Sequence, residues 1–331
     1  MPVLTVIMPV YNGEKFLKES IDSVLNQTFT EFSLLVLNDN STDSTAEILK
    51  NYKRQDSRIS VITKTKNEGP ANLRNEGIQI AKTDLIALLD ADDIALPTRF
   101  EKQLKYLNAH PEVGVCGTWF SFFGNRKEKV VKHEVSHEAL LIQFLHSSGI
   151  GNPTVMFRKS ALGNLRFEQQ YVPAEDYGLW SQLIYKTQFH NIPESLLKYR
   201  WHDNNISQTK EANLRKSEVL IKAKQMEQLG IPKTDPNISF YIHAVSLKRK
   251  QSSGDVIKTI HAAHDLLKRN KQLEVYNKEL FKKHIDRNIK RSIRNAIGYN
   301  KAFYKFIKND STFFDTLKMA DKIILYFKCL L

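Results

Sequence analysis

Cysteine is scarce in this chain, with Cys116 and Cys329 the only two among 331 residues. Two thiols so far apart support neither a disulfide framework nor a zinc cluster, so a reducing, cytoplasmic setting is expected. Long apolar runs are also absent. No stretch approaches the roughly 20 uninterrupted apolar residues that cross a bilayer. Met1 to Met8 run straight into a strand-like segment, without the charged, apolar and cleavage regions of a signal peptide. Low-complexity tracts and repeats of solenoid length are missing, and 41% hydrophobic with 26% charged residues argues against wholesale disorder.

Acid is what the back of the chain lacks. Residues 1–200 carry 23 Lys and Arg against 23 Asp and Glu, whereas residues 201–331 carry 26 against 13. The whole net charge of +13 therefore comes from the second part. That division, with the end of strand signals after residue 210, predicts two domains, 1–205 and 206–331.

The front part alternates strand and helix signals. Val3 to Met8 is a short apolar run halted by Pro9, and Leu17, Ile21, Val24 and Leu25 then recur at helical spacing. Leu34 to Leu37, Ile59 to Thr63 and Asp84 to Leu89 read as further strands, with a helix carrying Ile48, Leu49 and Tyr52 and another opened by Gly69-Pro70 between them. Continuous apolar strands alternating with helices predict an α/β fold, a mostly parallel sheet covered on both faces. In such sheets ligands bind beyond the carboxyl ends of the strands. The unusual polar clusters all fall at such ends.

The sharpest cluster is Asp90-Ala91-Asp92-Asp93. Three carboxylates in four residues repel one another, and a hard divalent cation such as Mn²⁺ or Mg²⁺ relieves that repulsion while sharing its oxygen ligands with phosphates. A capped turn is the other reading, with Asp92 or Asp93 at the start of a helix near Pro97. Pro9-Val10-Tyr11-Asn12 follows the first strand and Asn38-Asp39-Asn40-Ser41-Thr42-Asp43 the second. With Leu73-Arg74-Asn75 and Asp90 to Asp93, these pieces resemble, in order, the P-V-Y-N, D-D-G-S-T-D, A-R-N and D-x-D-D motifs of the family 2 glycosyltransferases. Those are inverting enzymes of the GT-A fold, and the resemblance covers about residues 3–202.

The resemblance implies a nucleotide-sugar donor, most naturally a UDP-sugar, and a divalent metal. It makes Pro9, Tyr11, Asn12, Glu14, Asp39, Arg74, Asp90, Asp92, Arg200 and His202 the donor side. Asp39 would accept from the base, Tyr11 flank it, Glu14 hold the ribose or base edge, and Arg74 bring positive charge near the nucleotide. Asp92 would ligate the metal, with Asp90 near the ribose or the metal shell. Asn38 stands where the family often has Asp, so no role is carried onto it. Glu175-Asp176 before Leu179-Trp180 looks like the family's E-D-x-x-L-W segment, which makes Asp176 the general base and Glu175 its orienting neighbour on the acceptor side. A helix N-terminus there is expected to keep Asp176 ionised. Asn152 resembles part of the loop flanking the acceptor pocket. Tyr199-Arg200-Trp201-His202 with Ser207 looks like the family's closing motif, which would bring Arg200 and His202 to the diphosphate and metal from a mobile loop.

No Q-x-x-R-W segment of processive synthases is found, so transfer of a single sugar is expected, and the family resemblance implies a glycan or lipid-linked acceptor in surface polysaccharide biosynthesis. A sugar nucleotidyltransferase is the rival enzyme, but Pro9 to Gly13 offers one Gly and no Arg where a triphosphate-binding loop needs several. A non-catalytic nucleotide-sugar-binding scaffold acting through basic helices is the other alternative. In Leu273 to Ile297, Phe281, Ile285, Ile289 and Ile293 line one side of a predicted helix, with Lys282, Lys283, Arg287, Lys290, Arg291 and Arg294 largely opposite. Its apolar side could pack on neighbouring helices, or the helix could lie on an anionic membrane and hold the enzyme at its inner face. A last stripe runs through Phe313, Leu317, Ala320, Ile324, Phe327 and Leu331. No stacking platform points to nucleic acid.

Overall fold

The computed structural model describes residues 2–203, 211–246 and 250–330. Its first half builds β1 (Leu4–Val10), α1 (Leu17–Leu25), β2 (Phe32–Asn38), α2 (Thr45–Gln55), β3 (Ile59–Thr63), α3 (Pro70–Ile80) and β4 (Leu85–Leu88). These four strands run parallel in the order β3-β2-β1-β4. β1 and β4 are buried along nearly their whole length, which is why their sequences are continuously apolar. Pro9 does not halt β1 but sits within it, in register with Leu37. Pairing with β4 ends at Ile7, whose carbonyl accepts the Leu89 N–H. The missing N–H of Pro9 therefore costs no ladder bond on that side.

The chain continues through β5 (Ile94–Ala95), α4 (Arg99–Ala109), β6 (Val113–Gly124), β7 (Lys129–Val131) and α5 (His137–Phe144). β8 (Met156–Arg158), α6 (Lys159–Leu162), α7 (Glu175–Leu183) and β9 (Gln188–Trp201) follow. Among the described residues the sheet has nine strands, in the order β3-β2-β1-β4-β8-β6-β9-β5, with β7 on β6. β8 is antiparallel to both β4 and β6, and β9 is parallel to β6. Two reversals return β6 and β9 to the direction of β4, so the carboxyl end of β9 comes out on the same edge as those of β1, β2 and β4. That edge collects the polar clusters.

The chain divides into two compact units, residues 1–140 with 148–218, and residues 141–147 with 219–331. The second is helical, holding α8 (Glu211–Met226) from residue 219 on, α9 (Ile238–Ser246), α10 (Ser253–Leu273), α11 (Lys278–Arg294), α12 (Lys301–Asn309), α13 (Ser311–Phe314) and α14 (Met319–Leu330). One short pair, β10 (Gln251–Ser252) with β11 (Ala296–Ile297), interrupts the helices where no strand is expected from sequence. Ser252, Asn277, Asn300 and Asp310 each accept a backbone N–H at a helix start, worth about 1 kcal/mol apiece. The apolar stripe of α11 is spent inward: Phe281, Ile285, Ile289 and Ile293 are all buried, at about 1.5–3 kcal/mol each. The last stripe of the sequence is split, with Phe313 and Leu317 buried and Ile324 and Phe327 exposed. Both cysteines are buried and unpaired. Among the described residues no helix is long and apolar enough to cross a membrane.

Candidate active site

The loops after β1 and β2 are clasped together. Asn12 adopts a left-handed conformation, its N–H donating to Ser41 Oγ at 2.9 Å while its Oδ1 accepts the Thr42 N–H at 2.9 Å. Tyr11, at the tip beyond β1, is exposed and free to flank a planar ligand. Asp39 is buried, and its two carboxylate oxygens accept the backbone N–H groups of Glu68 and Gly69 at 2.8 and 2.9 Å. Gly69 presents its N–H at φ +81°, a conformation that side chains resist. Each Asp39 oxygen keeps a lone pair for a further donor. Glu14 is turned elsewhere: its Oε2 accepts the Ser44 N–H at 3.0 Å at the start of α2, beside a cavity of about 780 Å³ that also meets Lys15, Lys18 and Tyr52. Asn38 Oδ1 accepts the Ser41 N–H, while its buried Nδ2 has no hydrogen-bond partner.

After β4 the three carboxylates part company. Asp90 Oδ1 accepts from Arg74 Nη2 at 2.8 Å, and Arg74 Nη1 donates to Glu175 Oε1 at 2.7 Å. The buried Arg74, carried by α3, thus ties the end of β4 to the start of α7. Burial opposes its charge, but Asp90 and Glu175 outweigh that and hold its pKa above the usual range. Burial raises the Asp90 carboxyl, with Arg74 opposing. Asp93 Oδ1 accepts the Arg200 N–H at 2.8 Å, and its buried Oδ2 has no partner. Burial, Asp92 and Asp90 push the Asp93 carboxyl well above the ordinary carboxylate range. Neither Asp92 nor Asp93 caps a helix, since α4 starts at Arg99 behind Thr98, which makes no side-chain cap.

Asp92 is left with an imidazole: His202 Nε2 lies 2.9 Å from Asp92 Oδ2. Both side chains are partly exposed, at 31% and 17%, and the His202 ring packs on Phe16 with centroids 5.0 Å apart. Arg200 is not on a loop but near the carboxyl end of strand β9, opposite Phe123. It is held there by its Nε bond to the Asp92 carbonyl at 2.8 Å, an ion pair to Glu19, and the rings of Phe16 and Phe123 at 4.4 and 4.3 Å. Ser207 lies outside the described residues.

Asp176 is in the first turn of α7, next to Glu175. Burial and the Glu175 charge raise its pKa to about 7, outweighing its bond from the Tyr177 N–H and the pull of Arg74. This reverses the expectation that a helix N-terminus keeps the group strongly acidic, because desolvation is the larger effect. Asn152 supports this helix from below, its Oδ1 accepting from Trp180 Nε1 at 3.1 Å. One contiguous cluster therefore holds Arg74, Asp90, Glu175 and Asp176, continuing through the chain to Asp92, Asp93, Arg200 and His202. Pro9, Tyr11, Asn12, Glu14, Asp39 and Asn152 lie outside it.

Sequence reasoning missed Arg99. It is fully buried, with Nη2 donating to the Leu88 carbonyl at 2.9 Å and Nε to Gln103 Oε1 at 3.0 Å. Burial lowers its pKa to about 9, and the Asp93 charge holds it up, so it stays cationic behind the acidic triplet. Nothing in an otherwise polar helix start signals it.

No group of three or more His, Cys, Asp or Glu side chains is arranged around a cation among the described residues. The donor chemistry still fits one. Mg²⁺ is held by one or two carboxylates with phosphates and water completing the shell, which Asp92 can supply, with His202 Nε2 a nitrogen donor 2.9 Å from its Oδ2.

A family model described as Glycosyl transferase family 2 matches residues 5–166. An uncharacterized glycosyltransferase of Methanocaldococcus jannaschii, MJ1057, is 35% identical over 64% of this chain and 76% of its own length. The Escherichia coli protein WfgD, named UDP-Glc:alpha-D-GlcNAc-diphosphoundecaprenol beta-1,3-glucosyltransferase, is 31% identical over 65% of this chain and 83% of its own. Among solved structures, Staphylococcus aureus TarS 1–349 in complex with UDP-GlcNAc superposes with a TM-score of 0.58 at 17% identity, covering 98% of this chain and 89% of that one. The strand-end clasp, the separated carboxylates and these likenesses agree, and the chain belongs to the family 2 glycosyltransferases, with a GT-A fold followed by a helical region.

Proposed function

We propose that this glycosyltransferase moves a single sugar, with inversion, from a UDP-sugar to a hydroxyl of a glycan or lipid-linked saccharide in surface polysaccharide biosynthesis, with Mn²⁺ or Mg²⁺ at Asp92 and His202. The observation that carries the reading is Arg74, which joins Asp90 on the donor side to Glu175 beside the base. The UDP-sugar and the lipid-linked acceptor are supported by the names of WfgD and of the TarS complex.

Asp176, with its pKa near 7, accepts the acceptor's hydroxyl proton as that oxygen forms its bond to the anomeric carbon. The bond from the anomeric carbon to the diphosphate oxygen breaks on the opposite face, and UDP leaves with the electron pair. Inversion follows from that geometry. Glu175, fixed by Arg74, orients the start of α7. Asp39 and Tyr11 hold the base, while Pro9 and Asn12 shape the loop beneath it. Glu14, seated on α2, would have to leave Ser44 to reach the ribose. A cation bound at Asp92 and His202 would neutralise charge on the departing diphosphate. With a lipid-linked acceptor the reaction would run at the inner face of the cell membrane.

The test is UDP release across a panel of UDP-sugars with Mn²⁺, run on the wild type, Asp176→Asn and Asp92→Ala. Turnover in the wild type alone, with Asp176→Asn still binding UDP, supports the reading. A wild type inactive on every donor, and indistinguishable from Asp92→Ala in metal-dependent UDP binding, would favour a scaffold.

A further inference from the structure

α14 has apolar residues on two opposite sides. One side is packed: Leu325 and Cys329 are buried, and Asp321 is turned inward with them. Asp321 is the only acid in the helix, and it is consumed there by Arg294 Nε at 2.7 Å and Lys290 Nζ at 3.3 Å. On the other side stand Met319, Ile323, Tyr326 and Phe327, exposed by 71%, 49%, 44% and 53%. Their spacing, i, i+4, i+7 and i+8, makes a single stripe along the outer face. Ordinary surfaces carry scattered apolar side chains, whereas a continuous outward stripe on an already packed helix marks a contact surface.

The surroundings choose the occupant. Lys322 stands beside the stripe, over the Phe314 ring at 4.4 Å, whereas Lys328 lies on the packed side, over the Tyr299 ring at 4.8 Å. Asp315, 3.8 Å from Lys322, is an acid close to the flank. The part of the chain beyond residue 200 carries twice as many basic as acidic residues. A second copy would bring like charge against like. An anionic lipid surface offers both what the stripe lacks, an apolar layer, and what Lys322 lacks, phosphates.

We propose that α14 lies in the headgroup layer of an anionic membrane, with Met319, Ile323, Tyr326 and Phe327 at the acyl boundary and Lys322 at phosphate level. This rests on the reading of a lipid-linked acceptor and replaces α11 as the membrane-facing element, because the apolar side of α11 is already buried.

Vesicle flotation of the full chain tests it, with phosphatidylglycerol–phosphatidylcholine vesicles against phosphatidylcholine alone. Wild type is expected to float with the anionic vesicles and at least tenfold less with the neutral ones. The pairs Ile323→Ser with Phe327→Ser, and Met319→Ser with Tyr326→Ser, each lose at least tenfold of the binding. Both pairs keep wild-type UDP release and an unchanged circular dichroism melt, as exposed positions should. UDP release reports on the transferase reading alone, so its failure is distinguishable from a failure to float. Wild type that stays unbound, or pairs that float like wild type, overturns the proposal. So does light scattering that finds a dimer which Ile323→Ser with Phe327→Ser turns to monomer without any vesicle binding, since the stripe then belongs to a second copy.

Discussion

Arg74 Nη1 sits 2.7 Å from Glu175 Oε1, joining two residues 101 positions apart. The same guanidinium holds Asp90 with its other nitrogen, so it neutralises two carboxylates at once, the buried Glu175 and the partly exposed Asp90. Removing one partner of a buried pair leaves uncompensated charge, costing about 3–5 kcal/mol. Arg74→Ala is therefore expected to lose about that much stability in urea unfolding. Lysine has a compact ammonium without the planar fork. Arg74→Lys should recover part of the stability while turnover stays at least tenfold down. Full activity in Arg74→Lys would show that the fork is not needed.

The pH profile of the reaction follows from Asp176. A base acts only when deprotonated, and this carboxyl is raised from the ordinary 3.8 to about 7. Log kcat/KM should rise with unit slope below about pH 7 and level off above it. Asp176→Asn should lose about 10²–10⁴-fold in turnover and keep UDP binding. Rate measurements from pH 5 to 9 check both, and a flat profile across pH 5–7 would assign the proton to another group.

His202 and Asp92 make a prediction about metal. Loss of a supporting partner at metal sites costs about 10–100-fold in affinity, and a direct ligand should cost at least as much. His202→Ala is expected to weaken Mn²⁺-dependent UDP binding by that factor in calorimetry, while metal-free UDP binding stays unchanged. His202→Gln should behave like His202→Ala for the metal, because an amide is a poorer ligand. Equal Mn²⁺ dependence in wild type and His202→Ala would remove His202 from the shell.

The alternation of apolar runs with helical spacing was enough to read the parallel half of the sheet, because strands covered on both faces must be apolar throughout. The reversals at β8 could not be read, since Met156 to Arg158 is too short to show its direction and pairing depends on residues far along the chain. Asp90 to Asp93 announced itself as a group, but the separate fates of its members come from Arg74, His202 and Arg200, which only folding brings near. Asp176 shows the same limit in its chemistry. Its place at a helix start was legible, whereas its raised pKa depends on burial, which no local pattern states. α11 shows the limit from the other side: packing on neighbouring helices and a membrane face were both open from sequence, and only the burial of Phe281, Ile285, Ile289 and Ile293 decides for packing.

A last prediction concerns stability of the helical unit. His284 is buried in α11, its Nε2–H donating to the Val245 carbonyl at 2.6 Å while Arg287 Nη2 lies 3.1 Å from its Nδ1. Burial is the main cause that lowers its pKa from 6.5 to about 4, and the Arg287 charge adds to it. A histidine kept neutral in the folded state takes up its proton on unfolding, so acid favours the unfolded chain. Its contribution is fully present above about pH 6.5 and is lost progressively as pH falls toward 4, a change of about 3 kcal/mol at 1.36 kcal/mol per pH unit. Urea unfolding followed by circular dichroism at pH 7.5, 6, 5 and 4 should show this decline. His284→Gln, which still donates to Val245 but does not titrate, should start less stable at pH 7.5 and fall less steeply. If both proteins lose stability in parallel, the acid sensitivity comes from other groups and His284 is not buried neutral.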